Sequence, residues 1–402
     1  MIKKNYRLFL VSDLISQFGA GMIMAALSWF IITNNGSNQL LATTTNINIM
    51  SGLIVSIFAG TIVDRYKNKN VIISTHFIRL LLIILPVILM NSFGYNSIFL
   101  FMIALSNGIG WNLYFPASKS FIQELAEDKE LIKFNSWAEI TMQIGLFSSG
   151  ALAGSLYKFI GFQNILIFSS LSFVVSIICV FMIKIEHKNI TIASTEKFTS
   201  LLKGGFIYLS QHKILFAYGL ILYIPFIGAN IFNIALPGYV SNHLGESSAV
   251  FGLIDMFYGI GACIAGLLVI TLTKKFSIYK LLQIMFLTGV VCGILFYIND
   301  KVVFSIILTL IIGFCGPSIR TIINTIVMEK VPNQILGRVI SAWSILSSFI
   351  QIVVTFILGK VMDYYGSNWG FLFYSLIMAV ALIICYFIKY SLEVQNEKSN
   401  NY

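Results

Sequence analysis

Residues 71–92 read VIISTHFIRLLLIILPVILMNS, and Arg79 is the only charged side chain in this run. A helix needs roughly 20 mostly apolar residues to cross the hydrocarbon core of a bilayer, so the run is long enough to span a membrane. The whole chain has a similar character, because 57% of its 402 residues are hydrophobic and only 10% are charged. An ordinary soluble domain has about 25% charged residues. The sequence therefore predicts an integral membrane protein with little chain left for a soluble catalytic domain.

Further apolar runs follow at regular intervals, separated by short polar joints. They are continuous rather than ten-residue alternating segments, which favours membrane-spanning helices over the strands of a β-barrel. The sequence thus predicts an all-α integral membrane protein with twelve transmembrane helices, over residues 8–33, 40–63, 71–92, 96–118, 134–156, 161–183, 214–240, 249–272, 281–298, 302–328, 335–360 and 368–390.

Lysine and arginine are unevenly distributed over the joints. With both termini in the cytoplasm, the predicted outer loops contain only Lys158, Lys301 and Lys360. Cytoplasmic loops of membrane proteins carry an excess of these residues, so we expect a multi-pass protein with both termini cytoplasmic. The net charge of +10 then reflects membrane topology, and nucleic acid is not an expected partner.

The longest polar interval divides the helices six and six. It covers residues 184–213, between a predicted N-terminal half (1–183) and a C-terminal half (214–390), and residues 391–402 form a predicted cytoplasmic tail. At an offset of about 205 residues the halves match weakly at Gly108 and Gly313, Glu124 and Glu329, Leu131 and Leu336, Lys133 and Arg338, and Ser136 and Ser341. Many secondary transporters are built from such a repeat, although two unrelated helical bundles can also align by hydropathy alone.

The joint between the second and third predicted helices reads GTIVDRYKNK over residues 60–69. A solvated cytoplasmic loop explains its cations, Arg65, Lys67 and Lys69, but it does not explain Asp64. A carboxylate at the amino end of a neighbouring helix is stabilised by the helix dipole by about 0.3–1 kcal/mol. Such a contact suits a gate, because it holds one state and still breaks during a transport cycle.

This joint resembles the loop signature of the major facilitator superfamily, with matches at Gly60, Asp64, Arg65 and Lys69. Nearly the whole chain is similar to the macrolide-efflux and siderophore-exporter-like branch, through FPA at 115–117 with KFNS at 133–136, GALAG at 150–154, and VP at 331–332 with LGRV at 336–339. The resemblance implies alternating access by two rocking six-helix halves, usually driven by a proton gradient. It also implies that Asp64 and Arg65 stabilise one gating state.

Two positions depart from the family pattern. The corresponding joint of the second half, 266–280, keeps Lys274 and Lys275 but has no Asp-Arg pair, so only one half carries the predicted latch. Where many drug–proton antiporters have Gly-Pro in the fifth helix, this chain has Ser149 and Gly150. The second departure weakens the inference of antiport, but not that of transport.

Small residues on two helices predict close helix packing. Gly150 and Gly154 form a Gly-x-x-x-Gly face on the fifth helix, where backbones can approach closely. Gly259 and Gly266 on the eighth helix are the candidates for the surface that it packs against.

Five charged residues fall inside predicted spans: Asp13, Arg79, Glu139, Asp255 and Arg320. A charge at a helix centre costs ~2.5–3.5 kcal/mol on insertion scales, so each is a candidate for proton coupling or for buried pairing. The superfamily resemblance implies that Glu139 and Arg320 come close enough to pair, and Asp13 is expected to pair with Arg79 within the first half. Asp255 has no cation at its depth, which suits a proton or cationic-substrate site, unless water from the outer loop reaches it.

In the superfamily arrangement the first, fourth, seventh and tenth helices line the central cavity. The candidate substrate-contacting residues on them are Gln17, Asn107, Trp111, Tyr223, Asn230 and Asn233. Aromatic and amide side chains around an apolar space suit bulky amphipathic compounds.

Several motifs are absent from the sequence. No Gly-x-x-x-x-Gly-Lys-Ser/Thr phosphate loop occurs, so ATP is not expected to drive this chain directly. His-Glu-x-x-His and Gly-x-Ser-x-Gly are also absent, and the four histidines are scattered. No enzymatic activity, metal or cofactor is expected.

The sequence and the resemblance together predict a monomeric secondary transporter in a bacterial cytoplasmic membrane. Its expected function is proton-coupled efflux of amphipathic small molecules, as in drug resistance by an antiporter. Two alternatives stay open: an uptake or uniport carrier for a small metabolite, and a membrane sensor that keeps the fold without transport.

Overall fold

A computed structural model of the chain describes residues 2–126, 130–184 and 206–400. The first four helices are α1 (Ile2–Asn35), α2 (Asn38–Arg65), α3 (Asn68–Phe93) and α4 (Ser97–Leu125). Side chains in the joints cap their free backbone N–H groups: Ser37 Oγ accepts from Leu40 N at 3.0 Å, and Asn96 Oδ1 accepts from Ile98 N at 2.9 Å. With these caps, only two residues separate α1 from α2 and three separate α3 from α4.

The next stretch, Leu131–Phe181, is a nearly continuous helix that takes the place of two predicted spans. A straight helix of 51 residues would be about 75 Å long at 1.5 Å per residue, more than twice the hydrocarbon thickness. Gly161 breaks it with φ 73° and ψ 173°, a conformation that residues with a side chain rarely adopt. We therefore call residues 131–160 α5 and residues 162–181 α6.

The remaining helices are α7 (Lys213–Gly238), α8 (Ser248–Lys275), α9 (Ile278–Ile298), α10 (Val302–Lys330), α11 (Asn333–Tyr365) and α12 (Trp369–Asn400). A π-helical turn, Tyr239–His243, continues α7 just after Pro237, a residue that has no N–H to donate. The last helix runs through most of the predicted tail at 391–402.

Within the described residues no strand occurs, and eleven helices are long and apolar enough to cross a membrane when the α5–α6 stretch is taken as one. Division at Gly161 makes twelve. The predicted all-helical membrane fold is therefore confirmed.

The chain divides into two compact units. The first contains Met1–Thr195 and Glu246–Met256, and the second contains Glu196–Gly245 and Phe257–Tyr402. The first turns of α8 thus belong to the first unit. Most of the predicted linker, residues 185–205, lies outside the described part of the chain, so its extent stays a prediction.

Aromatic stacking holds helices together inside each unit. In the first, the ring of Tyr6 on α1 stacks on Phe134 of α5 with centroids 3.6 Å apart. In the second, Phe296 of α9 stacks on Phe371 of α12 at 4.2 Å, and Phe232 of α7 packs edge-on against both. Such pairs contribute about 0.5–1.5 kcal/mol each beyond the burial of their apolar area.

Two glycines let pairs of helices approach backbone to backbone. A Cβ on Gly108 of α4 would overlap the carbonyl oxygen of Asn48 on α2, and a Cβ on Gly313 of α10 would overlap that of Tyr258 on α8. Membrane helices pack closely at such small residues because lipid offers no hydrophobic driving force between them. The sequence match of Gly108 to Gly313 thus corresponds to a similar packing role in each unit.

Candidate functional site

A buried carboxylate on α1 anchors the main polar cluster of the first unit. Asp13 is only 4% exposed. Its Oδ1 accepts a 2.7 Å hydrogen bond from Tyr114 Oη of α4, and its Oδ2 accepts a 3.0 Å bond from Thr141 Oγ1 of α5. Gln17, one helical turn further along α1, also donates to it. These neutral donors from three helices hold the carboxylate, and no described cation lies within ion-pair distance of it.

Arg79 lies in the same unit but does not pair with Asp13, so the predicted Asp13–Arg79 ion pair is wrong. The buried guanidinium donates through Nη2 to Asn107 Oδ1 at 2.8 Å and lies over the ring of Phe173 at 4.3 Å. Its alkyl chain and Nε pack against the Cα of Gly110, where a side chain would not fit. An amide oxygen and an aromatic face therefore take the place of a carboxylate partner.

The sequence reasoning missed two members of this cluster. Thr141 looks like an ordinary helical threonine, because its hydroxyl also lies 3.0 Å from the carbonyl oxygen of Ala138 in its own helix. His76 is fully buried between the rings of Tyr114 and Phe173, and neither of its ring nitrogens has a hydrogen-bond partner among the described residues. No local sequence signal distinguishes either residue.

The predicted gating residues separate into two groups. Asp64 and Arg65 end α2 with exposed side chains that make no hydrogen bond or ion pair to a described residue. Gly60 has open space around its Cα. Lys69 lies at the beginning of α3 and extends to the end of α6. There its Nζ donates to the carbonyl oxygens of Phe181 at 2.8 Å and Ile183 at 2.7 Å. The gating role of Asp64 and Arg65 stays a prediction, whereas Lys69 caps the end of α6.

Replacing Lys69 by methionine is expected to lower the stability of the first unit by about 1 kcal/mol. The last carbonyls of a helix have no partner within it, and a cation there also complements the helix dipole. Thermal unfolding of the purified protein in detergent measures the effect. Lys274→Met, the same change at an exposed lysine of the corresponding α8–α9 joint, is the control. Equal melting temperatures for the two variants would contradict the capping role.

The other predicted membrane charges have separate surroundings. Glu139 is exposed, with Oε2 3.9 Å from Lys119 Nζ and Oε1 accepting from Gln143 at 2.9 Å. Arg320 is exposed, with its guanidinium 5.0 Å from the ring centroid of Phe226. Glu139 and Arg320 belong to different units, and their pairing stays a prediction.

Asp255 lies among the small residues that join α5 to the first turns of α8. A Cβ on Gly150 would overlap its carboxylate, and Ser248 Oγ donates to the carbonyl oxygen of Gly154 at 2.7 Å. Gly252 packs against the backbone of Gly150. The glycine face of α5 therefore contacts the beginning of α8 at Ser248 and Gly252, and the packing role of Gly259 and Gly266 stays a prediction. Asp255 itself makes no hydrogen bond or ion pair to any described residue.

The predicted cavity residues play two different parts. Four of them make hydrogen bonds. Gln17 donates to Asp13, and Asn107 accepts from Arg79. Tyr223 donates to the carbonyl oxygen of Ile340 at 3.3 Å, and Asn230 donates to Gln351. Trp111 and Asn233 are exposed. The bonds of Asn107, Tyr223 and Asn230 join different helices of one unit, whereas that of Gln17 lies within α1.

A family model and two known proteins match this chain by sequence. The family model described as "Transmembrane secretion effector" matches residues 1–402. An uncharacterized MFS-type transporter, YfmI of Bacillus subtilis strain 168, is 22% identical over 95% of this chain and 96% of its own length. Macrolide efflux protein A of Streptococcus pyogenes is 20% identical over 92% of each chain.

Comparison with solved structures concerns the fold. The nucleoside transporter NupG superimposes with a TM-score of 0.77 at 13% identity, covering 96% of this chain and 98% of its own. A D-xylose-proton symporter superimposes with a TM-score of 0.72 at 14% identity, covering 96% and 97%. The helix arrangement is thus shared with proteins whose sequences have diverged almost completely.

Proposed function

The chain belongs to the transmembrane secretion effector family of major facilitator transporters, and on this premise we propose that it exports amphipathic small molecules of the macrolide type in exchange for protons. Alternating access exposes one binding region first to the cytoplasm and then to the outside. A proton entering from outside compensates for the substrate that leaves.

The observation that carries the proposal is the environment of Asp13. A carboxylate that is fixed in an ion pair stays ionised, whereas Asp13 is buried and held by hydroxyl and amide donors alone. Burial without a cation disfavours the charged form, so such a group can bind and release a proton during a cycle. Asp13 lies eleven residues into α1, about 16 Å from the beginning of the helix at 1.5 Å per residue, and falls within the predicted span 8–33.

The proposed transport cycle uses Asp13 as the proton-binding group. In the outward-open state Asp13 takes up a proton as the substrate leaves. In the inward-open state the proton passes to the cytoplasm, and the ionised carboxylate regains its full set of bonds from Tyr114 and Thr141. Asp64 and Arg65 stabilise one of the two states. Both termini face the cytoplasm, and a monomer is sufficient for the cycle.

The macrolide class is supported by the likeness to macrolide efflux protein A and by the exposed aromatic ring of Trp111 on α4, which the superfamily resemblance predicts to line the cavity. The test is the accumulation of radiolabelled erythromycin in efflux-deficient bacteria that express the chain, with and without a protonophore. The expected result is lower accumulation than in empty cells, restored by the protonophore. Higher accumulation than in empty cells would favour an uptake carrier, and no difference would remove the macrolide class.

A further inference from the structure

An exposed aromatic stripe runs along α4 of the first unit. Trp111 and Phe115, one helical turn apart, are 42% and 36% exposed, and their rings stack with centroids 5.5 Å apart. Lys119, a further turn along, places its Nζ 5.4 Å from the centroid of Phe115. A cation within about 6 Å of an aromatic face is attracted by the electrons of the ring.

The same ammonium group also faces a carboxylate. Lys119 Nζ lies 3.9 Å from Glu139 Oε2 on α5, and the two side chains are 36% and 49% exposed. Gln143 fixes the other carboxylate oxygen by a 2.9 Å hydrogen bond. An aromatic face and an oriented carboxylate therefore converge on one cation.

We expect water to reach this surface, because Lys119 lies just beyond the predicted span 96–118 and Glu139 lies near the beginning of the predicted span 134–156. Lys119 lies six residues before the end of α4 and Glu139 eight residues after the beginning of α5, about 9 and 12 Å along the helices at 1.5 Å per residue. Ionised side chains inside membrane spans face water-filled cavities or the bundle interior, because lipid cannot solvate them. The stripe thus combines water access with large aromatic rings.

We propose that Trp111, Phe115 and Glu139 form a binding subsite for a hydrophobic organic cation, and that the ammonium group of Lys119 occupies it as a tethered stand-in. The ligand class is an amine or an onium ion that carries apolar rings: the rings pack on Trp111 and Phe115, and the positive charge lies near Glu139. This subsite deepens the proposed export function, which would use it to recognise basic amphipathic substrates, but ligand binding does not require transport.

The test is equilibrium binding of tritiated tetraphenylphosphonium to the purified full-length chain in lipid nanodiscs, with empty nanodiscs subtracted. Lys119→Gln removes the internal competitor. It is expected to tighten binding about fivefold, which is the size of change that a cation–π contact produces. Glu139→Gln and Trp111→Leu are each expected to weaken binding by about fivefold or more for the same reason.

Lys133→Gln is the matched control, because it removes one positive charge from an exposed position near the beginning of the same α5 helix. Its affinity should equal that of the parent chain. The proposal is overturned if Lys119→Gln leaves the affinity unchanged or lowers it, or if Lys133→Gln raises it equally. All four changes are at exposed side chains, and Glu139→Gln gives an independent reading if one variant fails to fold. Erythromycin export that fails while this pattern holds would remove the proposed function and leave the subsite standing.

Discussion

Replacing Asp13 by asparagine should abolish proton-driven export while leaving substrate exchange intact. Asparagine has nearly the same shape, but it cannot bind a proton. Its single amide oxygen accepts from one of the two hydroxyls, Tyr114 or Thr141, and its NH2 group donates to the other. Without a proton site the pH gradient cannot drive transport, so gradient-driven transport should fall to the level of empty liposomes.

The measurement uses proteoliposomes that contain the purified chain and radiolabelled erythromycin. Net transport under an imposed pH gradient should be lost in Asp13→Asn, whereas exchange of labelled for unlabelled erythromycin at equal pH should persist. Asp255→Asn is the matched control, since Asp255 is another carboxylate within a predicted span that makes no ion pair to a described residue. If Asp255→Asn loses the gradient response and Asp13→Asn keeps it, the proton site belongs to Asp255.

Replacing Gly108 or Gly313 by valine should greatly lower the fraction of folded protein. In each case the new side chain overlaps a backbone carbonyl oxygen of the neighbouring helix, on Asn48 or Tyr258, and a backbone atom cannot move aside as a flexible side chain can. Overpacking typically costs about 1–3 kcal/mol, and these contacts lie at the upper end because whole helices must separate.

Gly266→Val is the matched control, because no atom lies within 4 Å of the position that its Cβ would take. Fluorescence-detected size-exclusion chromatography after heating measures the folded fraction of each variant. At about 2–4 °C per kcal/mol for a domain of this size, Gly108→Val and Gly313→Val should melt well below Gly266→Val. Melting of all three within about 2 °C of the parent would contradict the close-packing role.

The fold was predictable because its main determinant is local. The length of each apolar run sets the position of each helix, and the break at Gly161 falls at the first residue of the predicted span 161–183. The sequence showed that Gly108 matches Gly313, but it did not show that both glycines let helices pack closely. Which backbone each glycine meets depends on how the helices are arranged in space.

The partners of the buried charges could not be predicted, because they depend on the rotation of each helix about its axis. Depth alone suggested that Arg79 would pair with Asp13. The actual partners of Asp13, Tyr114 and Thr141, lie 101 and 128 residues away along the chain. A tyrosine and a threonine are common in any helix, so nothing in the sequence marks them as ligands of a carboxylate.

The most direct test of proton-coupled export is proton movement driven by substrate alone. Liposomes containing the pH dye pyranine and the reconstituted chain receive an erythromycin gradient at equal starting pH, and empty liposomes correct for passive diffusion of the base. The account predicts a proton flux opposite to erythromycin that is present with the parent chain and absent with Asp13→Asn. Erythromycin flux with no accompanying proton flux, or equal proton flux in both proteins, would contradict it.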